Sequence, residues 1–189
     1  MFRLFKKKEV SFESQLSKLA ECGIRLKHGI DPTLLLEQHS EQEFVEDPYQ
    51  LLLITMGGEV YINNQFYHVS DDVWHLDTEC IEDHGDYIRI IERLKNLTGI
   101  DIEDLTDYVD IEANEAWVSF IYEGTKIRWD LNVDADWLDP IIMYHFQELI
   151  KNRKERRITV ASLGQDCLIT YLKESQLKDI NKLVKIKFE

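Results

Sequence analysis

EAWVSFIYEGTKIRWDLNV, residues 115–133, is the stretch whose reading decides the fold. Residues 115–122 and 126–133 read as two strands joined at Glu123-Gly124, a turn dipeptide between two apolar runs. In the second arm Ile127, Trp129, Leu131 and Val133 alternate with Lys126, Arg128, Asp130 and Asn132. One face of such a strand meets a core and the other meets water.

Working outward, the same signals predict strands at 49–55, 73–80, 158–163, 167–172 and 184–188, and a strand pair at 59–69 turning near Asn63-Asn64. Helices are predicted at 11–22, with Ser11 as cap and Gly23 as stop, and at 87–97, stopped by Gly99. In that second helix Arg89 and Arg93 are read as lying on a different face from Ile88, Ile91 and Leu94. Asp31-Pro32 and Asp139-Pro140 open two more helices, the second running to Ile150, and residues 175–183 form a last one. The acidic stretch 101–108 reads as one or two helical turns. Clustered strands joined by tight turns predict an α+β fold with a mainly antiparallel sheet and several helices packed on it. No repeat or polar linker divides the chain, so a single domain is expected over 10–189, preceded by a basic segment at 1–9.

At 44% hydrophobic and 31% charged, with three prolines and eight glycines, the chain is too apolar for disorder and has enough core to fold without staples. Cys22, Cys80 and Cys167 are an odd number of widely spaced thiols, which argues against a disulfide framework or a four-thiolate zinc site. No signal peptide or membrane-spanning run is read, and a cytoplasmic location is expected.

The net charge of −14 is concentrated. Residues 71–139 hold 20 acids against five bases, whereas residues 1–70 balance to −3 and residues 140–189 to +4. Such a field opposes nucleic acid and speeds the approach of a basic protein partner. Solubility alone is the bland account of the same charge. The candidate partner-binding residues come from two dense stretches. Asp71, Asp72, Trp74, Glu82, Asp83 and Asp86 lie in the first; Asp130, Asp134, Asp136 and Trp137 lie in the second, beside Asp139 as a helix cap.

The competing chemistry is a metal-dependent enzyme. On a strand at 73–80 the period of two would align His75, Asp77 and Glu79, and His84 or His145 would extend the set toward a two-histidine, one-carboxylate site. Cys80 is a poor nucleophile on this reading, because Glu79 and Glu82 would raise its pKa. No P-loop, dinucleotide fingerprint, nucleophile elbow or zincin motif is present, and no cofactor is expected. A third class is a homodimer in which the basic C-terminal region, including 151–157, meets the acidic middle of its twin.

Three segments, VWHLDTECIEDHGDYIRIIERL (73–94), EAWVSFIYEGTKIRWDLNVDADWLDP (115–140) and GQDCLI (164–169), resemble a group of uncharacterised bacterial cytosolic proteins. Some of these are similar to immunity proteins of polymorphic toxin systems. The resemblance implies a non-enzymatic binder that neutralises a partner, with no site residue carried over.

Overall fold

A computed structural model describes residues 9–153 and 155–189; the basic segment, apart from Glu9, lies outside the described residues. The elements in chain order are α1 (Phe12–Glu21), α2 (Thr33–Gln38), α3 (Glu41–Glu46), α4 (Gln50–Gly57), β1 (Glu59–Ile62), β2 (Gln65–His68), β3 (Val73–Asp77), α5 (Asp86–Thr98), β4 (Glu103–Asp110), β5 (Glu115–Tyr122), β6 (Thr125–Leu131), α6 (Ile141–Leu149), β7 (Arg157–Ser162), β8 (Asp166–Leu172) and α7 (Glu174–Leu183). The strands form three separate antiparallel sheets, β1-β2, β3-β8-β7 and β4-β5-β6, in an α+β fold.

The sheet β3-β8-β7 partitions the molecule. Strand alternation sends Cys167, Ile169 and Tyr171 of β8 into one core, with α5, α6 and the β4-β5-β6 meander. Leu168 and Leu172 go into the other, with Val73, Ala161, α1–α4 and α7. Six consecutive residues of β8 are buried, as a strand covered on both faces requires. Thr170 and Thr159 are the polar members of this layer, and their hydroxyls satisfy one another at 2.7 Å.

The decisive hairpin forms as read. Glu123 and Gly124 adopt φ of 49° and 73°, the pair of left-handed residues that a two-residue hairpin turn needs. Trp129 points inward, edge-on to Phe120 at 4.9 Å and stacked on His145 at 5.3 Å.

Four expectations are corrected. The run at 49–55 is part of a helix, α4, not a strand; it is apolar on nearly every side because the second core surrounds it, and such a run carries no period to separate the two. The acidic stretch at 101–108 is strand β4, not helical turns, because it pairs with β5 and places Val109 against Ala116. Residues 184–188 form no strand, although Glu189 exchanges two hydrogen bonds with Val160 on the outer edge of β7, at 3.0 and 3.1 Å. Arg93 lies on the buried face of α5 with Ile90, Leu94 and Leu97, and is only 3% exposed. Helix α3 is not among the predicted elements, although its capping box is local: the Ser40 hydroxyl accepts from Glu43 N and the Glu43 carboxylate accepts from Ser40 N.

Helix α4 ends directly on β3. A Cβ added at Gly57 would fall inside contact distance of His75 N and 2.9 Å from His75 Cβ, leaving no room for any larger residue without moving strand backbone. Gly57→Ala is expected to cost about 2–3 kcal/mol by overpacking, read as a lowered urea midpoint with an unchanged slope.

Candidate functional site

The strand β3 ends at Asp77, and the chain then leaves β8 for a new partner. Cys80 N and Ile81 N both donate to Asp136 O, at 2.8 and 2.9 Å, and Leu138 N donates to Thr78 O at 2.7 Å. Isolated bridges pair Trp137 with Glu79 and with Asp134. This backbone seam joins the two acidic stretches, although some 50 residues separate them. Along this ledge of backbone Glu79, Glu82 and Asp134 are exposed, Asp136 is half-buried and Trp137 is 38% exposed. Among the described residues no lysine or arginine nitrogen lies within 4.0 Å of any of these four carboxylates. Asp83, exposed, follows directly.

The remaining predicted residues are placed elsewhere or serve the fold. Asp86 is buried and accepts from Glu82 N and Asp83 N at 2.6 and 2.9 Å, while pairing with Arg89. Asp71 is held by Lys27 at 3.0 Å, and Asp72 accepts from Arg25 N, also at 3.0 Å. Asp130 sits on the outer face of β6, bound to Arg128 at 2.8 Å, whose guanidinium lies 4.4 Å over Trp117. Asp139 caps α6 as read, accepting from Ile141 N at 3.0 Å and from Asn132. The cap of α5 is Asp107, from the neighbouring strand, which accepts from Gly85 N, Tyr87 N and Ile88 N.

His75, Asp77 and Glu79 do not converge as a ligand set. Gln165 Nε2 bridges Asp77 and Glu79 at 3.0 and 2.7 Å, whereas His75 Nε2 lies 3.3 Å from Asp166. His84 Nδ1 accepts from Val109 N, and His145 is stacked on Trp129. Among the described residues no three His, Cys, Asp or Glu side chains gather as metal ligands. The thiols are all free. Burial pushes Cys80 up to about 11, with Asp77 and Asp86 adding to it rather than the adjacent glutamates, and pushes Cys167 up to about 12.

Beside the ledge opens a cleft of about 530 Å3, unread in the sequence, between the β1-β2 hairpin, β3 and α5. Trp74, His75 and Arg93 are among the residues that line it. Arg93 Nη2 donates to the carbonyls of Ser70 and Val73 at 2.6 and 2.9 Å, covering the start of edge strand β3. Its Nη1 is ion-paired with Asp71 at 3.6 Å, and among the described residues neither Nη1 nor Nε has a hydrogen-bond partner. Burial lowers the pKa of this guanidinium, against the pull of Asp71 and Glu59. His68 lies across the strand pair from Glu59, at 3.1 Å, and its pKa is lowered by burial first and by Arg93 second. The signal for Arg93 was available: the spacing Ile90, Arg93, Leu97 repeats at helical period on the buried side.

Comparison with protein-family models, with curated proteins and with solved structures finds no match for the chain. No helix among the described residues is long and apolar enough to cross a membrane.

Two outcomes follow from this geometry. Asp107→Asn weakens three amide contacts at the α5 N-terminus and is expected to cost about 1–2 kcal/mol in chemical denaturation. The folded state resists protonating His68, while the unfolded chain takes that proton near pH 6.5. Its contribution is therefore complete above about pH 6.5 and declines as the pH falls toward the lowered folded value. Glu59 and Asp71 oppose the lowering, and Arg93 and Lys27 support it. His68→Gln should flatten that part of the stability profile, measured by urea midpoints between about pH 5 and 7.5.

Proposed function

We propose that this protein is a non-enzymatic binder whose acidic ledge receives a basic protein partner, in the manner of an immunity protein that neutralises a cationic, nuclease-like toxin. The observation that carries the reading is the seam between 78–81 and 134–138, which joins the stretches bearing Glu79, Glu82, Asp134 and Asp136, none of them within 4.0 Å of a lysine or arginine nitrogen among the described residues. Carboxylates left uncompensated hold a field that raises the association rate with a cationic surface and stand where substrate phosphates would sit on a nuclease. Trp137 supplies an aromatic anchor of the kind that slows dissociation. Ile141 and Tyr144, at the start of α6, are also exposed and follow it closely in the chain. The resemblance of 73–94 and 115–140, which hold the ledge, supports the immunity-type class.

The test is affinity capture from the source organism's lysate at low and high salt, comparing the natural chain with a Glu79→Lys, Asp134→Lys, Asp136→Lys variant. The natural chain should retain one stoichiometric basic protein, weakened by salt. The variant, with unchanged circular dichroism, should associate with that protein at least about tenfold more slowly at low salt. Trp137→Ala should mainly raise the dissociation rate. Retention of no basic protein by the natural chain, or equal retention by the triple variant, removes the reading.

A further inference from the structure

The margins of the two three-stranded sheets are not treated alike. Arg93 covers the start of β3, and Glu189 bonds along β7. On β4, Val109 N donates to His84 Nδ1 at 3.0 Å, and the register shift between Glu103 and Thr106 breaks the line of the strand. The outer margin of β6 has no such cover. The two-residue turn makes Tyr122 and Thr125 a hydrogen-bonded pair, so Ile127, Trp129 and Leu131 bond back to β5, while Lys126, Arg128 and Asp130 turn their N–H and C=O groups outward. Among the described residues these outward groups have no partner.

An open strand is ordinarily blunted by a proline, a bulge or an inward charge. Residues 125–131 carry none of these: the register with β5 is unbroken, and the core-facing positions are Ile127, Trp129 and Leu131. Arg128 does not screen the margin, because its guanidinium lies back over Trp117 of β5 at 4.4 Å and its Nε donates to Asp130 at 2.8 Å. On the core face Trp129 stacks on His145 at 5.3 Å, and His145 meets Tyr144, 61% exposed, at 6.2 Å, so an aromatic row runs from this strand to solvent. The charges along β6 are self-complementary. When two β6 strands run antiparallel with their Trp129 residues astride a two-fold axis, Arg128 of each copy stands opposite Asp130 of the other, and Lys126 stands opposite the uncharged Asn132. We propose that β6 pairs in this register with β6 of a second copy of the chain, joining the two meanders into one continuous antiparallel sheet. The pairing uses neither the ledge nor the basic C-terminal region, and it is independent of the binder reading.

Sedimentation equilibrium of the full chain, in parallel with amide exchange of the 15N-labelled protein, tests this from about 5 μM to 1 mM. The natural chain should dimerise with a Kd between about 10 and 300 μM. The Arg128 and Asp130 amides should exchange freely in the dilute chain and become protected as the dimer fills, while those of Ile127 and Trp129 are protected throughout. Arg128→Asp and Asp130→Lys should each weaken self-association at least about tenfold, with unchanged circular dichroism. An equimolar mixture of the two variants should dimerise again, because each then meets opposite charge at both positions. A chain that stays monomeric over the whole range overturns the proposal and leaves the margin to a strand of another protein. A dimer whose Arg128 and Asp130 amides stay unprotected, or one that both variants leave intact, overturns it by placing the contact elsewhere, and a mixture that fails to recover overturns the register and the proposal with it.

Discussion

The structure depends on one strand being dry on both sides. β8 contributes alternate side chains to two cores that share no other layer as completely, so its register fixes the N-terminal helices and the β4-β5-β6 meander relative to one another. Slipping that register by one residue would exchange Leu168 and Leu172 for Cys167, Ile169 and Tyr171 and mismatch both cores together. The Thr159–Thr170 hydroxyl pair adds a polar register mark inside this apolar layer, because neither hydroxyl has another partner at that depth.

Legibility followed periodicity. The β5-β6 hairpin and helices α1, α5, α6 and α7 are announced by apolar spacing and by local stop or cap residues, and those signals survive folding because one face of each meets water. Residues 50–57 lack a wet face and therefore lack a period, so chain direction alone could not separate helix from strand. In β4 the alternation is obscured by acids on both faces: Asp107 turns inward to the α5 amides, while Asp104 sits at φ 50° within a register shift.

The candidate surface was legible as a set of residues and illegible as an arrangement. Composition identifies two acidic stretches, but nothing local states that 78–81 will bond to 134–138. Nor does it separate Glu79 or Asp136 from Asp86, whose carboxylate is consumed by its own loop. Arg93 illustrates the opposite case. A charged residue in a helix is read as solvated by default, yet the neighbours three before and four after it are both buried apolar residues. The edge of a sheet needs donors as much as a core needs hydrocarbon, and Arg93 serves that need at the start of β3.

Arg93 and Gly57 sit against the outer side of β3, while Glu189 bonds along the outer side of β7. The central sheet is thus stoppered at both margins by its own chain. Exposed strand margins are templates for edge-to-edge polymerisation, and blocking them is how three-stranded sheets stay finite at high concentration. It also denies this sheet the main-chain mode of recognition, in which an incoming peptide adds a strand. Whatever docks on this layer has to be selected by side-chain chemistry rather than by the sequence-blind hydrogen bonds of a backbone.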